Sequence, residues 1–204
     1  MAMGKPRKIN VQVFLLILAV FSFFSCREAS VPKPKGYFRI DLQPKKYIVF
    51  NETNQAKNLP LKFEYPVYGN ISDKVDDKSE PGWFNIEFPA YKARIYMTYK
   101  DVGGDLEGLI EQTYTMNVKN HISKADAINE QLINDVENRK FGILYDLKGN
   151  TASAVQFYVT DSLKHYLRGS LYFESEPNAD SLAPVIDFFR EDVIHLIETL
   201  KWKE

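Results

Sequence analysis

Cysteine is almost absent from this 204-residue chain, Cys26 being the single copy. One thiol excludes an internal disulfide and any zinc site built on cysteines. A basic excess is also missing. The first 25 residues carry Lys5, Arg7 and Lys8 and no acid, so the rest holds 23 basic and 27 acidic residues, a net of −4. That balance lacks the cations needed to neutralise a run of phosphates and argues against a nucleic-acid partner. The 14 residues Val11–Phe24, interrupted by Gln12 and Ser22, are too few for a membrane span. As a helix they extend about 21 Å, against a hydrocarbon core of roughly 30 Å. No G-x-S-x-G, P-loop, H-E-x-x-H or dinucleotide fingerprint occurs. No catalytic residue, metal site or cofactor is therefore assigned.

What is present begins with an address. The basic residues followed by Val11–Phe24 read as the start of a signal peptide over residues 1–25. Ser25 and Cys26 follow the apolar segment directly, and a small residue before cysteine is the lipoprotein cleavage pattern. The thiol of Cys26 would accept the lipid, which also removes a leftover free thiol from an exported protein. The alternatives are an uncleaved anchor or an ordinary secretory signal, with Cys26 incidental. Residues 26–35 contain two prolines and no periodicity and read as a short tether, about 30 Å long at full extension.

Residues 36–204 read as one globular α+β domain. Apolar residues make up 45% of the chain and charged residues 26%, the balance of a chain that buries a core. Gly36–Phe50 is an extended lead-in with a short strand at Tyr47–Phe50. Leu61, Phe63 and Tyr65 alternate with polar residues up to Pro66. Asn51–Pro60 and Gly69–Gly82 read as polar loops. Trp83–Phe88 and Lys92–Lys100 form a hairpin across Pro89–Tyr91. A helix at about 105–122 starts at Asp105. Four strands follow, over Ala125–Val136, Arg139–Leu147, Ala152–Thr160 and Leu163–Phe173. A last helix is capped by Asp180 or Ser181, with Pro184 in its first turn. Its stripe is Leu182, Val185, Ile186, Phe189, Val193, Leu196, Ile197 and Leu200. Short connections favour antiparallel pairing. The expected fold is one antiparallel sheet of six or seven strands covered by two helices, similar in element order to the Mog1/PsbP-like sandwich.

Candidate chemistry is sparse. Asp187, Glu191 and His195 share one line of the last helix, which fits a divalent metal but is read as part of a solvated face with Arg190 and Asp192. His165 reads as a surface histidine. Gly103-Gly104 reads as a turn, since Asp101 and Asp105 flank it and repel anions. Asp41, Asp146, Asp161 and Asp180 read as turn and capping residues. The aromatic load is more informative. Trp83, Phe84, Phe88, Tyr91, Tyr96 and Tyr99 point to both faces of the hairpin, and one face is a candidate for a partner. Trp83, Tyr91 and Tyr99 are the candidate binding residues.

Three segments carry a resemblance: GYFRIDL (36–42), GWFNIEFPAYKARIYMTYK (82–100) and the long stretch from Tyr145 to Trp202. Together they resemble the GldD family, the gliding-motility-associated lipoproteins of Bacteroidetes. The resemblance implies a lipid-anchored protein of the cell envelope, facing the periplasm and held in the bilayer through acylated Cys26. It also implies envelope or motility-machinery proteins as partners and a link to type IX secretion. The expected role is a non-catalytic assembly or stabilising component. The other reading is a periplasmic hydrolase or small-ligand-binding lipoprotein with a pocket near His165 or His195.

Overall fold

The computed structural model describes residues 40–50, 59–72 and 80–203. The expected leader, Cys26 and its tether, residues 36–39 of the lead-in, most of the Asn51–Pro60 loop and the charged run over 73–79 lie outside the described residues.

Among the described residues seven strands form one antiparallel sheet and two helices accompany it, the expected α+β fold. In chain order the sheet strands are β4 (Asn70–Ser72), β5 (Trp83–Phe88), β6 (Ala93–Asp101), β7 (Ala127–Asp135), β8 (Lys140–Lys148), β9 (Ser153–Thr160) and β10 (His165–Phe173). Their order across the sheet is β4-β5-β6-β10-β9-β8-β7. The interior strand β9 (SAVQFYVT) is buried along its whole length, as its β-branched and aromatic content favours. The hairpin β5–β6 turns through a single 3₁₀ turn at Pro89–Tyr91 and pairs Trp83 with Thr98 and Asn85 with Tyr96.

Strand membership departs from expectation in two places. The stretch Gly69–Gly82, read as a loop, contains the edge strand β4, whose three residues are too few to show a period. The segments β1 (Tyr47–Val49), β2 (Leu61–Lys62) and β3 (Glu64–Pro66) do not join the sheet. β1 pairs with β3, and β2 pairs with β11 (Lys201–Trp202) just after the last helix.

Helix α2 (Ala179–Thr199) lies on one face of the sheet. Val185, Phe189, Val193 and Leu196 bury there against Phe84, Ile86, Phe88 and Ile95, and the small ribbons add Phe50, Leu61 and Phe63. The cap is Asn178, whose side chain accepts from Ser181 N at 3.1 Å, not Asp180 or Ser181. Pro184 consequently falls in the second turn, where its missing N–H removes one helical bond. The helix ends on Lys140, whose buried ammonium donates to the carbonyls of Ile197 and Glu198 and pairs with Asp135 at 3.0 Å. A cation at a helix C-terminus complements the helix dipole.

Helix α1 (Leu106–Tyr114) crosses the opposite face. Asp105 caps it as expected, accepting from Gly108 N at 3.1 Å. The helix does not continue regularly to 122: Thr115–Lys119 forms a π turn. The extra residue in that turn rotates the chain, burying Asn117 and Val118 and leaving Met116 exposed. Beneath α1, Tyr145, Tyr158 and Tyr166 form a second, smaller core with Val102, Val118 and Leu147.

Candidate ligand pocket beside the short helix

The sheet face under α1 is polar at its β5–β6–β10 end. Alternation along each strand sets this up: Trp83 and Asn85 of β5, Tyr96, Thr98 and Lys100 of β6, and Tyr166 and Arg168 of β10 share that face. Gly82 starts the wall with φ of +92° and accepts from Tyr99 N at 2.9 Å. A Cβ there would lie 2.4 Å from the Tyr99 carbonyl oxygen, so only glycine delivers Trp83 to this position. α1 closes the other side with Leu109 and Thr113, and the π turn adds Met116. The space between is a pocket of about 350 Å³, within the range of small-molecule sites.

The pocket wall is held by a polar chain. Thr113 Oγ1 and the Tyr166 hydroxyl lie 2.6 Å apart. The Arg168 guanidinium donates to Asn117 Oδ1 at 3.0 Å and Gln156 Oε1 at 3.4 Å. Ser170 also donates to Gln156, whose Nε2 lies 3.4 Å from His121 Nε2. Burial holds Arg168 below the ordinary arginine range. Burial, with Lys124 and Arg168 adding repulsion, holds His121 below the usual imidazole value. Both Asn85 amide atoms, Trp83 Nε1 and Arg168 Nε are buried without a hydrogen-bond partner among the described residues.

The expected site residues separate. Trp83 stands in the pocket wall. Tyr91 and Tyr99 project from the other side of the hairpin. Tyr91 packs against Phe189 at 5.4 Å and Tyr68 at 5.9 Å, while its hydroxyl accepts from Gln43 N at 2.9 Å. The Tyr99 hydroxyl meets His165 Nδ1 at 2.9 Å. The three therefore do not form one surface. Cys26 lies outside the described residues.

Three expectations about polar residues are overturned. His165 is not a surface histidine: it is 9% exposed, bonded to Tyr99 and stacked on the Trp202 ring at 5.2 Å. Asp192 is not on the solvated face of the last helix. It is 2% exposed and accepts from Lys45 Nζ at 2.7 Å, the Tyr47 hydroxyl at 3.0 Å and the Tyr68 hydroxyl at 2.5 Å. His195 turns away from Asp187 and Glu191 toward Glu64 Oε2 at 2.8 Å, with the Tyr47 ring stacked on it at 3.6 Å. Among the described residues no three His, Cys, Asp or Glu side chains form a group that could hold an ion. Gly103 and Gly104 form a turn with φ of +56° and +86°. Asp161 acts as a turn residue, accepting from the backbone N–H groups of Leu163, Lys164 and His165 at 2.8–3.0 Å. Asp146 instead pairs with Arg190 at 2.7 Å.

Sequence reasoning missed Arg168, Asn85 and Asn117. The signal for the first two is their strand phase, which sets them beside Tyr166 and Trp83 on a face that a helix covers. Asn117 had no such signal, because the π turn that turns it inward is invisible to helical spacing.

Fold and site together define an α+β domain with one antiparallel sheet between two helices and a ligand-sized pocket on one face. A family model described as gliding motility lipoprotein GldD matches residues 27–202. The chain belongs to that family, and with it to the membrane-anchored lipoproteins associated with gliding motility. A search of curated proteins returned no match.

Proposed function

We propose that this lipoprotein is a non-catalytic assembly or stabilising component of the gliding motility and type IX secretion machinery, anchored through Cys26 and facing the periplasm. The observation that carries the reading is the family match, which begins at residue 27, directly behind Cys26. Residues 1–25 act as the signal peptide, 26–35 as the tether and 36–204 as the single globular domain. Acyl chains on Cys26 add about 0.8 kcal/mol of membrane affinity per buried CH₂, so two or three hold the protein firmly. The placement of the histidines supports a structural use for them: His165 and His195 each serve a packing contact with a tyrosine on the α2 side.

The test is a chromosomal Cys26→Ser replacement compared with a gene deletion. Cys26→Ser is expected to abolish fatty-acid labelling, leave an uncleaved precursor and stop gliding. Deletion is expected to lower the amount of at least one other envelope component of the machinery, measured by quantitative mass spectrometry of membranes. Persistent labelling of the Cys26→Ser protein would refute the anchor. Loss of gliding with every machinery protein at its normal level would refute the assembly role.

A further inference from the structure

The pocket beside α1 has properties that packing does not require. Among the described residues its wall carries two cations, Arg168 and Lys100, and no carboxylate. Arg168 makes no ion pair among the described residues; its partners are the amide oxygens of Asn117 and Gln156. A half-buried guanidinium neutralised by no acid among the described residues is unusual, because removing a cation from water is costly without a counter-charge. The rest of the chain behind Cys26 is net acidic, so acids to pair with it were not scarce. Asn85 is 1% exposed and lines the same pocket, with neither Oδ1 nor Nδ2 bonded to a described residue. Arg168 Nε and Trp83 Nε1 add two more donors of that kind.

Apart from Thr98, Gln112 and Thr113, the remaining surface is apolar and aromatic. Leu109, Met116 and the rings of Trp83 and Tyr166 line it, and Tyr96 and Met116 stand half open at its mouth. Methionine and tyrosine at a rim adapt to, and stack on, an apolar or aromatic body. Unpartnered buried polar atoms and two cations thus share one pocket wall with apolar surface. We propose that this pocket binds a small organic carboxylate with an apolar or aromatic body, its carboxylate held by Arg168 and the Asn85 amide and its body between Trp83, Leu109 and Met116. Guanidinium groups suit planar carboxylates because their donors match two oxygens at once. This goes beyond the assembly role and does not depend on it.

The chain has two tryptophans, Trp83 and Trp202, which supplies an optical probe. The full-length lipoprotein is placed in nanodiscs with Trp202→Phe, so that Trp83 alone reports. It is titrated with aryl and alkyl carboxylates of graded length, from benzoate through 4-phenylbutyrate to octanoate, and with the neutral amide of each. At least one acid is expected to change Trp83 fluorescence saturably, with a Kd below about 1 mM, and to bind at least about ten-fold tighter than its amide. Arg168→Gln is expected to weaken that acid about 10- to 100-fold and remove its preference over the amide. Asn85→Leu separates binding from folding. It fills the same volume without polar atoms, so it is expected to weaken the acid while the ligand-free melting temperature stays level or rises. If no acid saturates, or acid and amide bind alike, or Arg168→Gln binds as well as wild type, the proposal is overturned. It is likewise overturned if Asn85→Leu lowers the melting temperature by several degrees, since the amide then serves the fold.

Discussion

Replacing Asp192 by leucine is the sharpest test of how α2 is fastened. The carboxylate is 2% exposed and receives three donors: Lys45 Nζ at 2.7 Å, Tyr68 at 2.5 Å and Tyr47 at 3.0 Å. These come from the lead-in segment, the strand β1 and the turn after β3, so one side chain ties three chain segments to the helix. A hydrogen bond to a charged group contributes about 1.5–3 kcal/mol, but three bonds sharing one carboxylate do not add. Removing one member of a buried charge pair costs about 3–5 kcal/mol. The Lys45 ammonium is partly relieved: it keeps the Phe188 carbonyl and lies 3.9 Å from exposed Glu191. Among the described residues the two phenols have no other acceptor and lose the carboxylate outright. The expected cost of Asp192→Leu is therefore about 3–4 kcal/mol, or about 6–16 °C in melting temperature for a domain of this size. Lys45→Met is expected to cost about 1–2 kcal/mol, because its side chain is 24% exposed and solvent screens the pair. Circular dichroism melts of both single variants and the double variant give the coupling. Limited proteolysis is expected to cut near Lys45 sooner in Asp192→Leu. A variant melting within about 3 °C of wild type would show that the carboxylate is not the fastening described here.

Two further outcomes follow from the core. Phe189 is fully buried and its ring meets Phe88 at 4.6 Å, Tyr91 at 5.4 Å and Phe188 at 5.4 Å; Phe189→Ala is expected to cost about 3–5 kcal/mol, read as a lowered denaturation midpoint, and a midpoint near wild type would contradict its core position. Tyr47, Tyr68, Tyr145 and Tyr166 all have hydroxyls raised above the ordinary value, by burial first and, for Tyr47 and Tyr68, by Asp192 as well. A raised folded value favours the neutral form, so this contribution is complete below about pH 10 and is lost progressively as pH rises above it. Tyrosinate absorbance and circular dichroism should then change together in one alkaline transition; tyrosinate titrating near pH 10 with the dichroism intact would contradict the burial.

The sheet and both helices were legible because periodicity reports which face is buried. The stripe of α2 and the alternation of β6 are examples, with Ala93, Ile95 and Met97 buried as their spacing requires. The failures have physical causes. Residue type alone puts Asp192 on the solvated face, whereas its spacing from Phe188 and Leu196 puts it inside the buried stripe. Periodicity reports the face, and a charged residue on that face signals a buried partner, here Lys45, 147 residues away in sequence. β4 was too short to show alternation. The π turn shifts the helical phase by one residue, so Asn117 is buried while Met116 is exposed. The pocket was not legible, because its walls come from β5, β6, β10 and α1, which only the tertiary fold brings together.

The two faces of the sheet solve the burial of polar groups differently. On the α2 side, Asp192, Lys140, His165 and His195 each find a partner within 3.0 Å. On the α1 side, Asn85, Asn117, Trp83 and Arg168 each keep at least one buried polar atom without a described partner. Each such group costs about 1–3 kcal/mol, and total stability is only about 5–15 kcal/mol. Selection for stability alone favours leucine at Asn85, an isostere that removes the cost and fits a wall already formed by Trp83, Leu109 and Met116. Retaining the amide there, next to a guanidinium without an acid among the described residues and under a helix distorted by a π turn, fits a face whose polar groups complete their bonds when something else is bound.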